Sequence, residues 1–246
     1  MIIDGHVHMG VGLYGRSVTA ETAISRMDAS GIEACIAFPA KPRTYSLAEA
    51  NSNVAAAQLK YAGRIFGLAR VDPWQGDAAI VELERACDEL SLKGIALDPS
   101  EENFQINSRL VDPIIQFALE MDLPVVVEGG YPHVSHPLQI ADLAARFPDV
   151  TFVMTHGGEL DLSGFTRRDA HTAMCLCPNL VMGTSGLCSH ERLVSTVDQL
   201  GAERVMFESH LPVMDERLEL LRVTKAAISD AARELALGGN ARRVFL

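Results

Sequence analysis

Short apolar runs alternate with amphipathic stretches along the whole chain. A run rich in β-branched and other apolar residues recurs about eight times, and a segment with the periodicity of a helix follows each one. This alternation predicts parallel βα units, because consecutive parallel strands need a crossover connection that is usually helical. The predicted strands span residues 1–7, 33–38, 64–71, 93–97, 124–127, 150–155, 180–184 and 204–207.

Local signals mark the ends of the predicted helices. Thr19 precedes the first helical run, and the Ser46-x-x-Glu49 spacing predicts a capping box at the start of the second. Gly31 and Gly201 stand where a helix commonly ends in the left-handed conformation. Further helix starts are predicted at Asp77, Asn107, His136 and Ser189, a further stop at Gly63, and two closing helices over 215–227 and 230–237.

The number of strand and helix units, with no linker between them, favours one closed barrel. An open, doubly wound sheet is the alternative, but a dinucleotide-binding sheet of that kind has a glycine-rich turn after its first strand. This chain instead reads DGHVHMG there, which places two imidazoles at that position. We therefore predict an α/β fold, a single-domain (β/α)8 TIM barrel over residues 1–246.

The charge balance narrows the class of partner. The chain has 246 residues, with 21 Lys and Arg against 32 Asp and Glu, and its net charge of −11 argues against binding to nucleic acid. No apolar stretch approaches the roughly 20 residues that span a bilayer, and the N-terminus has no signal-peptide pattern. We expect a cytoplasmic protein that acts on a small molecule and does not bind a membrane. A homo-oligomer stays open.

The cysteines fit an intracellular protein with reduced thiols. They are odd in number and have no framework spacing, unlike those of a disulfide-rich secreted domain. We attribute the Cys175-x-Cys177 pair to packing rather than to a metal site. The five are Cys35, Cys87, Cys175, Cys177 and Cys188.

Polar side chains stand at the carboxyl end of the first predicted strand, where the chemistry of a barrel collects. His6 and His8 are two residues apart, so both point to one face and can bind one metal ion. Two hydrogen-bonded structural histidines are the other interpretation of this pair. Asp4 lies two residues further back, where its carboxylate can accept from an imidazole N–H or cap the start of the strand.

Three more strands end in a histidine or a glutamate. The fifth run ends in Glu128 (VVVEGG), the sixth in His156 (VMTHGG), and the eighth continues into ESHLP. Glu208 and His210 in that last segment are two residues apart, so a carboxylate and an imidazole share one inward face. A buried Glu208 needs a metal, His210 or a basic side chain as partner, because an unpaired buried carboxylate is costly.

Weaker candidates lie in the loops at the same end. Asp72 and Asp98, each followed by proline, favour turns over chemistry. His133 and His136 can line the barrel mouth, but loop histidines next to proline usually face solvent. Serine hydrolysis is disfavoured, because no Gly-x-Ser-x-Gly pattern surrounds Ser185. The cations that can hold a substrate carboxylate, or form surface ion pairs instead, are Arg16, Lys41, Arg43 and Arg70.

Several motifs together resemble the amidohydrolase superfamily, in particular the amidohydrolase-related branch with decarboxylases of aminomuconate-semialdehyde type and lactonases of pyrone-dicarboxylate type. The motifs are DGHVH, GLARVDP, FPDVTFVMTHGG, PNLVMGTSG and GGNARRVF, and their order covers nearly the whole chain. The resemblance implies a distorted (β/α)8 barrel and a divalent metal held by two first-strand histidines, a fifth-strand histidine and an eighth-strand aspartate. It also implies a sixth-strand histidine that assists catalysis.

The motifs match this family only in part. His6 and His8 match the first-strand ligands, and His156 matches the sixth-strand histidine. Glu128 stands where the family has the fifth-strand histidine, and His210 stands where it has the aspartate. The other departures are Glu208, in place of the glycine of a Gly-Ser-Asp-x-Pro turn, and Ala96 and Asp98, where the family often has Lys and His.

These departures have two interpretations. If Glu128 and His210 have exchanged ligand types, the site still offers three imidazoles and one carboxylate, which suits Zn²⁺, with Mn or Fe as alternatives. The rival interpretation is that loss of the aspartate has weakened or abolished hydrolysis. On the first interpretation, the metal ligands are His6, His8, Glu128 and His210.

The expected chemistry is one leading hypothesis with two alternatives. The leading hypothesis is metal-dependent hydrolysis of a small amide or lactone, in which His156 stabilises the oxyanion and Glu128 or Glu208 relays the proton. The first alternative is a metal-assisted non-oxidative decarboxylase, or a lyase or isomerase, which needs no eighth-strand aspartate. The second alternative is a catalytically silent barrel that binds a ligand.

Overall fold

The chain forms a closed barrel of parallel strands surrounded by helices. In the computed structural model, residues 1–13, 15, 17–160, 165–187 and 189–246 are described, with only the backbone at 165. All paired strands run parallel and follow one another around the ring in chain order. They are β1 (Ile3–Met9), β2 (Ala34–Pro39), β3 (Ile65–Gly67), β4 (Ala69–Arg70), β5 (Ile95–Leu97), β6 (Val125–Val127), β7 (Phe152–Met154), β8 (Leu180–Gly183) and β9 (Val205–Met206).

Eight strands close the ring, because β3 and β4 are two halves of one strand on either side of Leu68. Leu68 N donates to Ala37 O of β2 at 3.0 Å, while β4 pairs with β5 on the other side. The last gap closes where Gly5 N of β1 donates to Phe207 O at 2.8 Å and His8 N donates to Leu211 O at 2.9 Å. The predicted (β/α)8 barrel is therefore confirmed.

The helices cover the outside of the barrel, and the strands are buried on both faces. Ile3, Leu68 and Val153 belong to the inner cluster, which fills the barrel. A larger outer cluster lies between the strands and the helices. The helices are α1 (Ala20–Ser30), α2 (Leu47–Lys60), α3 (Asp77–Asp88), α4 (Asp112–Glu120), α5 (Pro137–Arg146), α6 (Phe165–Leu176), α7 (His190–Leu200), α8 (Glu216–Thr224), α9 (Asp230–Glu234) and α10 (Asn240–Phe245), with a π-helical turn at Leu235–Gly239.

The predicted helix starts at Thr19 and His136 are confirmed, since each side chain caps the helix that follows. At Ser46 the capping box is only half formed. Ser46 Oγ accepts from Glu49 N at 3.3 Å, but the Glu49 carboxylate accepts from Thr44 Oγ1 at 2.8 Å instead of returning to the Ser46 backbone. Thr44 lies in the loop before the helix, whereas the capping-box spacing considers only the N-cap residue and the residue three positions after it.

Two other predicted boundaries are wrong or shifted. The helix expected from Asn107 begins at Asp112, because Ser108 first caps a short 3₁₀ turn at Arg109–Val111. Gly31 ends α1 in the left-handed conformation at φ 71°, as predicted. Gly201 has φ 99° and ψ 150°, which lies outside that conformation, because the chain turns directly into the 3₁₀ turn before β9.

No helix formed by the described residues combines the length and the apolar character that crossing a membrane requires.

A buried asparagine attaches α2 to the end of β4. Asn51 Oδ1 accepts from Arg70 N at 2.8 Å, and Asn51 Nδ2 donates to Arg70 O at 3.0 Å and to Glu82 Oε1 at 2.8 Å. The Asn51 side chain therefore replaces a neighbouring strand for the backbone of Arg70, at the point where the barrel strand ends.

We expect Asn51→Ala to lower the free energy of unfolding by about 2–3 kcal/mol, because buried backbone groups of Arg70 lose their partners. Chemical denaturation followed by circular dichroism measures the change. Asn53→Ala, at an exposed position of the same helix, is the matched control and should change stability by about 0.5 kcal/mol or less. Equal stabilities of the two variants would contradict this role of Asn51.

Candidate metal centre

Four side chains from distant parts of the chain meet at the carboxyl end of the barrel. His6 and His8 lie on β1, Glu128 directly follows β6, and His210 lies four residues after the end of β9. All four are buried, and one potential ligand atom from each lies within 4.8 Å of the others. The structure thus brings together the four predicted ligands. Their role in binding a metal stays a prediction.

Glu128 lies at the centre of this cluster. Its Oε1 lies 2.9 Å from His156 Nε2 and 3.5 Å from His210 Nε2, and its Oε2 lies 3.4 Å from His6 Nε2. The Thr155 hydroxyl donates to Oε2 at 3.3 Å. Burial raises the pKa of Glu128, although the nearby His156 opposes that shift. Imidazole nitrogens therefore take the place of water around the Glu128 carboxylate.

The state of His6 suits a metal ligand. Neither ring nitrogen has a hydrogen-bond partner within the described part of the chain, although the side chain is fully buried. Burial lowers the pKa of His6 well below its ordinary value, and the neighbouring His8 and His156 lower it further. The ring is thus neutral and offers a nitrogen lone pair, as metal coordination requires.

Three imidazoles and one carboxylate form a donor set that fits a divalent first-row ion. A buried histidine without hydrogen-bond partners is costly unless another group uses its nitrogens. A metal ion at this cluster would use the His6 nitrogen and would also compensate the buried carboxylate of Glu128. On this test, the residues present fit a divalent cation.

His156 and His210 both have left-handed backbones, with φ 56° and φ 53°. This conformation costs free energy in a residue with a Cβ and is concentrated at functional sites. Gly157 and Gly158 continue the same turn after His156 with φ 57° and φ 74°. The turn ends β7 abruptly and directs the His156 ring towards Glu128 rather than along the strand.

A second buried carboxylate lies behind His156. Ser185 Oγ lies 2.9 Å from His156 Nδ1 and donates to Glu208 Oε2 at 3.2 Å. Burial raises the pKa of Glu208 well above its ordinary value, and the charges of Glu128 and Asp4 raise it further. Gly183 leaves room for this carboxylate, because a Cβ at that position would overlap it.

Glu208 is therefore not one of the four clustered side chains, although the sequence places it on one face with His210. The left-handed backbone at His210 breaks the strand alternation on which that expectation depended. The sequence indicates for Ser185 only a disfavoured nucleophile, and residue spacing does not reveal its contact with His156 Nδ1. The signal available was its place after the seventh strand of the barrel, where side chains face the mouth.

Of the two interpretations of Asp4, its hydrogen bonds favour a role in holding the backbone over one as an acceptor from an imidazole N–H. Asp4 Oδ1 accepts from the backbone amides of His6 at 3.2 Å and Ser209 at 2.8 Å. Burial raises the pKa of Asp4 to about 7, while its hydrogen bonds with Ser209 and His6 oppose the shift. Asp4 thus joins β1 to the segment that carries His210, which places two ligand-bearing segments side by side.

Arg70 is enclosed in an acidic network that the sequence did not indicate. Its side chain is fully buried, and its Nη2 donates to Glu101 at 2.7 Å, to Glu102 at 2.9 Å and to Asp98 at 3.4 Å. Burial alone lowers the pKa of Arg70, but the three carboxylates raise it above its ordinary value. Arg70 therefore organises the loop after β5.

The other weak candidates have structural contacts. Lys41 Nζ donates to Glu101 O at 2.6 Å, and Asp98 Oδ1 accepts from the backbone of Ser100 at 3.1 Å, as expected of a turn residue. His136 caps α5, whereas His133 and Arg43 are exposed. Arg16 and Cys188 lie outside the described residues.

A cavity of about 280 Å³ opens next to the four-residue cluster. This is slightly below the usual range of roughly 300–1,000 Å³ for ligand pockets, so the space suits a small molecule. It is lined by His8, Asp98, Ser100, Glu101, Glu128, Tyr131, His210 and Val213.

With this geometry in place, the sequence matches a family model described as amidohydrolase over residues 3–246. The chain belongs to the amidohydrolase family. The resemblance in the motifs is thereby confirmed. No curated protein matches the sequence.

Solved structures with the same fold include several decarboxylases. The 5-carboxyvanillate decarboxylase LigW from Sphingomonas paucimobilis has a TM-score of 0.79 and 17% identity, over 99% of this chain and 98% of the other. The 5-carboxyvanillate decarboxylase from Novosphingobium aromaticivorans, solved with manganese and 4-hydroxy-3-methoxy-5-nitrobenzoic acid, has a TM-score of 0.78 and 18% identity. The match covers 100% of this chain and 96% of the other. A dihydroxybenzoic acid decarboxylase from Polaromonas, solved with manganese and 2-nitroresorcinol, has a TM-score of 0.74 and 18% identity. The match covers 99% of this chain and 96% of the other.

The prediction of amide or lactone hydrolysis is corrected by these comparisons. The three similar structures described above are decarboxylases, which favours the first alternative over the leading hypothesis. In the motifs His210 stands where the family has an aspartate, and the decarboxylase alternative is the one that needs no aspartate there.

We expect the wild-type protein to bind one divalent ion tightly and His6→Ala to lose it. The loss of affinity should exceed the roughly 10–100-fold that removing an outer hydrogen-bond partner costs. Elemental analysis after dialysis measures the metal, and the rise in melting temperature on adding Mn²⁺ or Zn²⁺ measures binding independently. The exposed His133→Ala is the matched control. Equimolar metal in His6→Ala would contradict the assignment.

Proposed function

We propose that this protein is a metal-dependent, non-oxidative decarboxylase of a small carboxylic acid, with hydroxylated aromatic acids as the substrate class. The observation that carries the proposal is the buried cluster of His6, His8, Glu128 and His210 beside a small cavity. The decarboxylases with the same fold support the reaction type, and two of them contain manganese.

The metal would be held by those four side chains. When bound, the ion would supply positive charge that orients an acidic substrate and draws electron density from its ring. Manganese is the first ion to test, with zinc and iron beside it, because carboxylate and imidazole ligands accept all three.

Decarboxylation breaks the bond between the carboxylate carbon and its neighbour, and a proton must replace the departing CO₂. We propose His156 as the donor of that proton. Its Nδ1 faces Ser185 Oγ, which donates onward to Glu208, and its Nε2 faces Glu128 Oε1. Both nitrogens of an imidazolium are donors, and each has an acceptor here: Ser185 Oγ for Nδ1 and Glu128 Oε1 for Nε2.

Ser185 and Glu208 act as positioning residues in this proposal. By accepting from Nδ1–H, Ser185 sets the orientation of the ring, so that the proton to be transferred is the one on Nε2. Glu208 holds the Ser185 hydroxyl in turn. Burial of all three side chains excludes water, which keeps the proton of His156 for the substrate.

We propose one domain over residues 1–246, which the extent of the family match supports. A cytoplasmic location and a homo-oligomer stay predictions.

We expect the manganese-loaded protein to release CO₂ from at least one member of a panel of hydroxylated benzoic acids that includes 5-carboxyvanillate and 2,6-dihydroxybenzoate. In D₂O the product should contain deuterium at the carbon that carried the carboxylate, because His156 must regain its proton from solvent between turnovers. Mass spectrometry measures the label. His156→Asn should lower kcat by about 10²–10⁴-fold, whereas His133→Asn should leave it unchanged.

Two results would contradict the function. One is the absence of CO₂ release from the whole panel by protein that contains equimolar metal. The other is full activity of His156→Asn, which would remove the proposed proton donor.

We expect Ser185→Ala to lower kcat by about tenfold, as for the loss of one hydrogen bond of roughly 1.4 kcal/mol, with little change in KM. Steady-state kinetics measures both quantities. Ser189→Ala is the matched control, since the Ser189 side chain forms no capping hydrogen bond with the described residues of α7. A change confined to KM would contradict a role in positioning the proton.

A further inference from the structure

A basic groove lies between α6 and α7 on the outer layer of the barrel. Its cavity has a volume of about 310 Å³, and it shares no residue with the four-residue cluster at the barrel mouth. None of the described residues that line it is acidic. They are Arg167, Arg168, His171, Arg192, Ser195 and Gln199.

The charge of this groove is opposite to that of the whole chain. Although the net charge is −11, three arginines line one small depression. Most arginines of the described chain are paired with carboxylates, but within the described residues Arg167 and Arg168 form no ion pair. Like charges repel one another, so a group of cations of this kind favours an anion beside it.

Arg192 adds a second, independent observation. It is only 3% exposed, and its Nε donates to Glu159 Oε1 at 2.8 Å while its Nη1 donates to Thr196 Oγ1 at 3.2 Å. Its Nη2 is buried and has no hydrogen-bond partner anywhere in the described chain. A guanidinium donor buried without an acceptor is rare in native proteins and indicates a group that the protein atoms do not supply.

The surroundings leave the Arg192 charge incompletely compensated. Burial lowers the pKa of Arg192, Glu159 opposes that shift, and the charge of Arg167 lowers the pKa further. Since arginine stays protonated in proteins, the effect is a free-energy cost that an anion in the groove would relieve.

We propose that the groove between α6 and α7 binds a phosphate group, with Arg167, Arg168 and Arg192 as its cationic ligands. Among the described residues, the three guanidinium groups form one ion pair, that of Arg192 with Glu159, which leaves a surplus of two charges that a phosphate dianion neutralises. A carboxylate monoanion would leave one charge uncompensated. Planar guanidinium forks also match the oxygens of a phosphate group, and the side-chain amide of Gln199 offers one more donor.

The test uses inorganic phosphate as the probe and the metal-loaded protein, by isothermal titration and ³¹P line broadening. We expect saturable, equimolar binding that weakens as chloride is added. Arg167→Gln combined with Arg168→Gln should raise the Kd about tenfold or more, as expected when a charged hydrogen bond is lost. These two side chains are chosen because neither forms an ion pair with a described residue, so the substitutions remove no known stabilising contact.

Arg242→Gln is the matched control, since Arg242 is exposed and lies on α10, away from the groove. Its phosphate affinity should equal that of the wild type. The same titration with His6→Ala should also give wild-type affinity, which separates the groove from an anion bound at the barrel mouth.

Four results would overturn the proposal. They are the absence of saturable phosphate binding, binding unchanged by the two arginine substitutions, binding lost in His6→Ala, and acetate binding as tightly as phosphate. Sedimentation analysis measures the oligomeric state of the same variants separately. If the arginine substitutions dissociate an oligomer and phosphate does not bind, the groove is a protein interface and the proposal fails.

Discussion

The carboxylate of Glu128 is only 2% exposed and lies within 3.5 Å of imidazole nitrogens from His6, His156 and His210. Moving an ionised carboxylate out of water costs far more free energy than a protein domain can spare unless cations or donors replace the water. The barrel supplies that compensation from three separate strand ends. Placement of the histidines, exclusion of water and the capacity for a metal all follow from this one buried charge.

The backbone around the cluster shows how the fold holds these groups. His156 and His210 adopt left-handed conformations that cost about 1–3 kcal/mol each. Closure of the ring supports the turn at His210, because His210 N donates to His6 O at 3.0 Å. The ring of His156 is instead held by its contacts with Glu128 Oε1 and Ser185 Oγ, each at 2.9 Å.

Much of the site could be predicted because barrel geometry converts chain position into spatial position. His6, His8, Glu128 and His210 lie near or shortly after the carboxyl ends of their strands, so the order of the strands is enough to bring them to one edge of the barrel. The partners of the Asp4 and Glu208 carboxylates are harder to predict, because the choice of hydrogen-bond partner depends on local backbone conformation. The Asp4 carboxylate accepts from amides, and Glu208 lies behind Ser185, since His210 departs from strand alternation. The reaction was also mistaken, because hydrolysis and decarboxylation use similar ligand sets and differ in what occupies the cavity.

The sequence by itself determined the number and order of the strands, the helices between them, and which side chains end at the barrel mouth. These follow from hydrophobic periodicity, which acts over a few residues. Only the tertiary structure decided the enclosure of Arg70 by Asp98, Glu101 and Glu102, the contact of Ser185 with His156, and the grouping of arginines between α6 and α7. Such contacts join residues far apart in the chain, and their free energies depend on distances and burial that no local pattern encodes.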